Sequence, residues 1–192
     1  MSDPSPFDAI GGNRALDFVN TVANRGNPDK RRDLLATPSD LQSWFVAIGL
    51  PAIALDESDL IEARAIRERL HDVFLPPSQG RAVDAAALDA FGRDLQASSG
   101  ERRLQSRSKR IIWGWAPDAG ALHRSLFPVL TAAADLLVSE DLAKVRECHG
   151  PGCGWLFVDR SRGRPRRWCS MSDCGNKAKA RRHQQRQTGA IS

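Results

Sequence analysis

The sequence has no tyrosine, only two methionines and no cysteine before position 148. It also has no uninterrupted apolar run of the ~18–20 residues that a helix needs to cross a bilayer. The segment from Met1 to Asp8 has two acidic residues and no basic one, unlike the start of a secretory signal peptide. These absences argue against a membrane-spanning helix and an exported chain. We therefore expect a soluble, cytoplasmic protein with no membrane partner.

Composition indicates a globular chain with an uneven charge distribution. Of the 192 residues, 41% are hydrophobic and 27% are charged, which is sufficient for a core. Residues 148–192 contain ten Lys and Arg but only two acidic residues, a net charge of +8. The other residues contain 18 basic and 21 acidic side chains, a net charge of −3. This asymmetry predicts that the C-terminal segment binds an anionic partner, and nucleic acid is the usual one.

The segment before the cysteines shows mainly helical periodicity. We predict helices over residues 15–22, 38–48, 56–75, 83–97 and 119–138, and a β-hairpin of strands 102–106 and 110–115. Thr37 is a candidate N-cap, Pro76 and Pro77 are expected to end the third helix, and Pro128 is expected to kink or interrupt the last one. The predicted fold class of residues 1–143 is therefore mainly α with a small β-hairpin (α+β).

One polar pattern near the N-terminus suggests a sensor function. Asp17, Asn20, Thr21 and Asn24 follow the spacing i, i+3, i+4, i+7, so they would share one face of the first helix. Such a face could line a pocket for a small-molecule effector. A solvated face, or buried hydrogen bonds that anchor neighbouring loops, would explain the same pattern.

The four cysteines form the pattern C-x4-C-x15-C-x4-C, at Cys148, Cys153, Cys169 and Cys174. Disulfides are rare in cytosolic proteins, and free core thiols would be scattered rather than paired. Four thiolates on two short loops are typical of a closed, structural zinc site. Gly150 and Gly152 allow a tight turn in the first loop. The sequence therefore predicts one structural Zn²⁺ per chain.

Residues 144–192 are predicted to form a separate zinc-finger domain. In the spacer, Trp155–Val158 and Arg166–Trp168 would pair as a second hairpin around a basic turn. Ser170, followed three residues later by Asp173, is typical of a helix start, and the helix would extend to about residue 187. This order of knuckle, hairpin and helix resembles a treble-clef zinc finger.

The sequence Cys174-Gly175-Asn176-Lys177 resembles the signature of the CGNR zinc-finger proteins. Lys177 replaces the Arg of that signature, which keeps the charge but loses bidentate pairing. The segment Gly12–Thr21 is similar to the opening motif of the helical domain that precedes this finger in bacterial transcription regulators, a family described as stress-induced. The resemblance implies a zinc-dependent, DNA-binding regulator.

Basic residues on the predicted turn and helix would contact nucleic acid, most simply the phosphates of double-stranded DNA. The candidates are Arg162, Arg164, Arg166, Arg167, Asn176, Lys177, Lys179, Arg181, Arg182 and Arg186. RNA binding and a zinc-stabilised protein-interaction module are the alternatives, and a homodimer reading paired half-sites is a further expectation. An enzyme is not expected, because four cysteine ligands leave zinc no open position and no catalytic triad or phosphate loop is found.

Overall fold

The computed structural model describes residues 7 and 9–188, except for the side chains of residues 182, 183 and 186–188. Its helices are α1 (Arg14–Val19), α2 (Pro38–Ala47), α3 (Glu57–Ser78), α4 (Ala85–Gly100), α5 (Ala121–Leu137) and α6 (Asn176–Thr188). Its strands are β1 (Val22–Ala23), β2 (Arg32–Asp33), β3 (Arg102–Arg107), β4 (Arg110–Trp115), β5 (Val145–Glu147) and β6 (Leu156–Val158). In the described part of the chain, no helix is long and apolar enough to span a membrane.

Local sequence signals set the starts of two helices. Thr37 accepts a hydrogen bond from the Asp40 backbone N–H, and the Asp40 carboxylate accepts one from the Thr37 N–H. Asp56 and Asp59 make the same reciprocal pair at the start of α3. These capping boxes satisfy N–H groups that have no partner within the helix.

The prediction that Pro76 and Pro77 end the third helix is wrong. Helix α3 extends through Pro76 and Pro77 to Ser78. Each proline lacks only its own N–H, and the helix ends one turn later, where the N–H groups of Gln79 and Arg81 donate to the Pro76 carbonyl. Pro128 does not interrupt α5, which is one helix from Ala121 to Leu137; a kink at Pro128 stays a prediction.

The core is built mainly from one side of each helix. Leu41, Trp44 and Phe45 of α2 are buried, as their spacing predicts. Helix α3 contributes a buried stripe that includes Leu70 and Phe74. The core continues across α1, α3 and α5, where burial of apolar side chains is the main source of stability.

The predicted hairpin is confirmed as the antiparallel pair β3–β4. Ser108 and Lys109 form its two-residue turn with positive φ values of 48° and 65°, as a primed turn requires. Trp115 packs edge-on against Phe127 of α5, with ring centroids 5.5 Å apart. Trp113, on the same strand, is 62% exposed and is therefore not a core residue.

Helix α1 is shorter than predicted. It ends at Val19, Asn20 is its C-cap, and Asn24 lies beyond it in a left-handed conformation with φ 52°. The predicted shared helix face of Asp17, Asn20, Thr21 and Asn24 is therefore wrong. The tertiary hydrogen bonds of Asn20 outweigh the local periodicity that would have continued the helix.

A buried ion network fixes the loop between α1 and α2 against α3. The Arg67 guanidinium, which is almost fully buried, donates two hydrogen bonds of 2.7 Å to the Asp33 carboxylate. Arg25 makes a bidentate pair with Glu68. Burial alone would raise the pKa of Glu68, but hydrogen bonding and the charges of Arg25 and Arg67 lower it to about 2. The partly exposed carboxylates of Asp33 and Glu68 pair with the buried Arg67, which makes the burial of its charge tolerable.

The segment between α5 and the first cysteine, residues 140–147, is packed against the helices. It forms a 3₁₀ helix, Glu140–Lys144, and then strand β5, which pairs antiparallel with β6. Val145, Leu156 and Val158 are buried in the same core cluster as α1, α3 and α5. The cysteine segment is thus packed directly against the helices.

Candidate metal centre and basic surface

The cysteines are brought together by the β5–β6 hairpin and the start of α6. Cys148 and Cys153 lie in the turn that joins the two strands, and the Cys148 N–H donates to the Trp155 carbonyl. Cys169 follows the basic loop, and Cys174 lies in one turn of π-helix, Met171–Gly175, that leads into α6. The hydroxyl of Ser170 caps this turn by accepting from the Asp173 N–H, as the sequence predicts.

The second predicted hairpin is not formed. The described structure assigns no strand to residues 166–168, and β6 pairs with β5 instead. The return segment hydrogen-bonds to the knuckle: the His149 N–H donates to the Arg167 carbonyl at 2.9 Å. The other edge of β6 has no free place for a return strand, because the Gly11 carbonyl accepts from the Val158 N–H and the Asn20 side chain bonds to both polar groups of Leu156.

The four sulfur atoms have the spacing that a tetrahedral zinc site needs. All four Sγ atoms lie within 4.8 Å of one another, and two of the separations are 3.7 and 3.8 Å. A Zn–S bond of about 2.3 Å in a tetrahedron puts the sulfurs about 3.8 Å apart. Cys148, Cys169 and Cys174 are buried, and Cys153 is partly exposed. The donor set and its geometry therefore fit one zinc ion.

Backbone groups support the ligands. The N–H groups of Gly150 and Cys169 point at the Cys148 sulfur at 3.3 and 3.2 Å. Hydrogen bonds from the Cys153 and Cys169 thiols, together with these N–H groups, lower the pKa of Cys148 to about 2. The nearby Cys148 sulfur in turn raises the pKa of Cys153 and Cys169. A divalent cation removes this conflict, because it stabilises all four thiolates together.

Two family models match the sequence. A family model described as ABATE, "Putative stress-induced transcription regulator", matches residues 12–140, which is more than half of the chain. The chain belongs to the ABATE family. A second family model, the CGNR zinc finger, matches residues 144–187 of this ABATE protein. No curated protein matches the sequence.

These findings confirm the resemblance seen at Gly12–Thr21 and Cys174–Lys177. They also confirm zinc as the cofactor, held by Cys148, Cys153, Cys169 and Cys174 as one structural ion. The ABATE protein thus combines a domain from a family of transcription regulators with a zinc-binding finger.

The structure describes the side chains of eight of the ten predicted nucleic-acid residues. All of those whose side chains are described are exposed: Arg162, Arg164, Arg166, Arg167, Asn176, Lys177, Lys179 and Arg181. The side chains of Arg182 and Arg186 lie outside the described residues. Lys177 forms an ion pair of 2.6 Å with Asp173, which also raises the pKa of the lysine.

Two of the arginines also hold the finger together. The Arg166 guanidinium lies 4.6 Å from the centre of the Phe157 ring and donates to the Cys169 carbonyl. The Arg167 guanidinium lies over the Trp168 ring. The sequence does not predict these roles, because Arg166 and Phe157 are nine positions apart and an Arg next to a Trp is only a weak sign of cation–π contact.

The four candidate effector residues make hydrogen bonds within the fold. Asn20 bonds to Leu156, the Thr21 hydroxyl donates to the Phe18 carbonyl, and Asn24 donates to the Lys30 carbonyl. The Asp17 carboxylate accepts from the Gly11 N–H at 2.8 Å, and burial raises the pKa of Asp17 to about 6.

Three of these residues, Asp17, Asn20 and Thr21, line one cavity of about 10 Å³. That volume accommodates about one water molecule. Binding of a larger effector would require this cavity to open, so an effector at this place stays a prediction.

Proposed function

We propose that this ABATE protein is a cytoplasmic transcription regulator whose zinc finger binds double-stranded DNA. One observation carries the proposal. Arg162, Arg164, Lys179 and Arg181 are exposed, and among the described residues no carboxylate lies within 4.0 Å of them. Cations without acidic partners on a rigid surface are available to replace the counterions of DNA phosphates.

The metal centre supplies rigidity rather than chemistry. It joins the start of α6 to the knuckle, and the knuckle belongs to the β5–β6 hairpin in the core. The basic loop of residues 160–167 starts at β6 and ends at Cys169, so both its ends are fixed. We further propose that the protein is not an enzyme, because four cysteine ligands leave no position on zinc for water or substrate.

Fluorescence anisotropy with a labelled DNA duplex tests the proposal. We expect Arg162→Ala/Arg164→Ala to weaken binding by zinc-loaded protein about 10-fold and to reduce the salt slope by about 2. The matched control is Arg107→Ala/Arg110→Ala at the turn of the β3–β4 hairpin, which removes the same charge. We expect the control to change affinity less than about twofold.

Three outcomes would contradict the proposal. The first is no binding by the parent protein at low salt. The second is an equal effect of the two double variants, which would indicate only long-range attraction. The third is stronger competition by an RNA of the same length than by duplex DNA, which would favour RNA binding. If zinc is present but no nucleic acid binds, the finger is a protein-interaction module.

A further inference from the structure

The loop between α1 and α2 is attached to the zinc knuckle by backbone hydrogen bonds. The N–H groups of Arg25 and Gly26 donate to the carbonyls of Cys153 and Gly152 at 3.1 and 3.2 Å. The Trp155 indole N–H donates to the Val22 carbonyl at 2.8 Å. This part of the helical region and the finger therefore form one surface with fixed geometry.

The same loop turns two cations away from the core. In strand β2 the Asp33 side chain faces α3, where it pairs with buried Arg67. Because successive strand residues point to opposite sides, Arg32 faces outward. Lys30 precedes it on the 3₁₀ turn Pro28–Lys30, and both cations are exposed. Among the described residues, neither has a carboxylate within 4.0 Å.

A groove separates these cations from the finger helix. It consists of two adjoining clefts of about 320 and 660 Å³, which share Asn24, Pro151 and Lys177 in their linings, and the smaller cleft extends to the zinc ligands Cys153, Cys169 and Cys174. Lys30 and Arg32 lie on the loop side, and Lys177 and Arg181 lie on the α6 side. Among the described lining residues the one acid is Asp173, which pairs with Lys177.

We infer that this groove is a second part of the nucleic-acid interface, and that it takes the sugar–phosphate backbone of duplex DNA. The inference rests on the proposed function, and it adds residues from the helical region that nothing in the finger motif indicates. Two points favour a DNA backbone as the occupant. Cations line both sides of an open groove, and Lys177 and Arg181 continue directly into the exposed basic face of α6.

The variant Lys30→Ala/Arg32→Ala tests the groove in the same anisotropy assay. We expect a loss of affinity of about 10-fold and a salt slope reduced by about 2, since each phosphate contact contributes about 0.9 to the slope. Arg107→Ala/Arg110→Ala is again the matched control, because these residues line neither cleft and have the same charge. Zinc content and thermal midpoint must equal those of the parent protein for each variant.

The outcomes separate the groove from the finger. A loss specific to Lys30→Ala/Arg32→Ala supports the inference. If Arg162→Ala/Arg164→Ala weakens binding but the groove variant behaves like the control, the inference is wrong and the proposed function stands. If the parent protein does not bind duplex DNA at all, both are wrong. Charge reversal, Lys30→Glu/Arg32→Glu, should weaken binding further, and an unchanged affinity for that variant would also overturn the inference.

Discussion

Asn20 joins the first helix to the zinc-finger hairpin, and its replacement gives the sharpest stability prediction. Its side chain is 3% exposed. Its amide donates to the Leu156 carbonyl and accepts from the Leu156 N–H, both at 2.9 Å. The amide thus pairs with the outer edge of β6 as another strand would. The Gly11 carbonyl extends the same edge by accepting from the Val158 N–H.

In Asn20→Ala both polar groups of Leu156 lose their partner in a buried place. Each unpaired buried group costs about 1–3 kcal/mol, and partial entry of water reduces the sum. We expect the free energy of unfolding to fall by about 2–4 kcal/mol, a large part of the ~5–15 kcal/mol typical of a domain. Because the Asn20–Leu156 hydrogen bonds join the helical region to the finger, we expect the parent protein to unfold in a single transition.

Urea denaturation of zinc-loaded protein, followed by circular dichroism and tryptophan fluorescence, measures this effect. Asn176→Ala is the control, since Asn176 is exposed and its side chain makes one hydrogen bond, to the Ser172 carbonyl. We expect that variant to lose less than about 0.5 kcal/mol. An equally small loss for Asn20→Ala would refute the reasoning, as would two separate transitions in the parent protein.

Two further predictions concern the metal site and pH. In Gly150→Ala the added Cβ would lie 2.8 Å from the Cys174 sulfur. We expect zinc affinity to fall about 10–100-fold in a chelator competition, whereas Gly163→Ala, with nothing within 4 Å, should leave it unchanged. The pKa of Asp17, raised by burial from 3.8 to about 6, means that the folded state binds more protons than the unfolded state between these values. Stability should therefore decrease as pH rises from about 4 to 6, by at most about 3 kcal/mol and by about 1–2 after allowing for solvent screening.

A specific result would contradict each of these two predictions. Equal zinc affinity of the two glycine variants would show that the knuckle tolerates a side chain facing the cysteines. Asp17→Asn should raise the thermal midpoint at pH 7.5 and leave it unchanged at pH 3.5, where the carboxyl is protonated. A midpoint that the substitution lowers at pH 7.5 would mean that the hydrogen bond from the Gly11 N–H to the ionised carboxylate outweighs the cost of the buried charge.

Local signals in the sequence were sufficient for much of the fold. The Thr37 cap, the Arg102–Trp115 hairpin and the helix start at Ser170 depend on residues within a few positions of one another. The metal ligands were predictable for a similar reason, because each pair of cysteines encloses four residues. Such short-range patterns need no knowledge of the remaining structure.

The structural features that the sequence did not predict depend on contacts between residues that are far apart in the chain. The end of α1 depends on Asn20 meeting Leu156, 136 positions away. Strand β5 is three residues long and has no alternation of its own, so its pairing with β6 follows from closure of the zinc knuckle between them. The groove has the same origin: Arg32 and Arg181 are far apart in sequence, and only docking of the loop on Gly152 and Cys153 brings them to one surface.

The salt dependence of duplex-DNA binding by the zinc-loaded chain tests the central claim most directly. Four to six phosphate contacts on the finger, with the groove cations in addition, predict that log K falls against log salt with a slope of about −4 or steeper. Removal of zinc should abolish that binding. A slope near zero, or no binding at low salt with one zinc per chain present, would contradict the account.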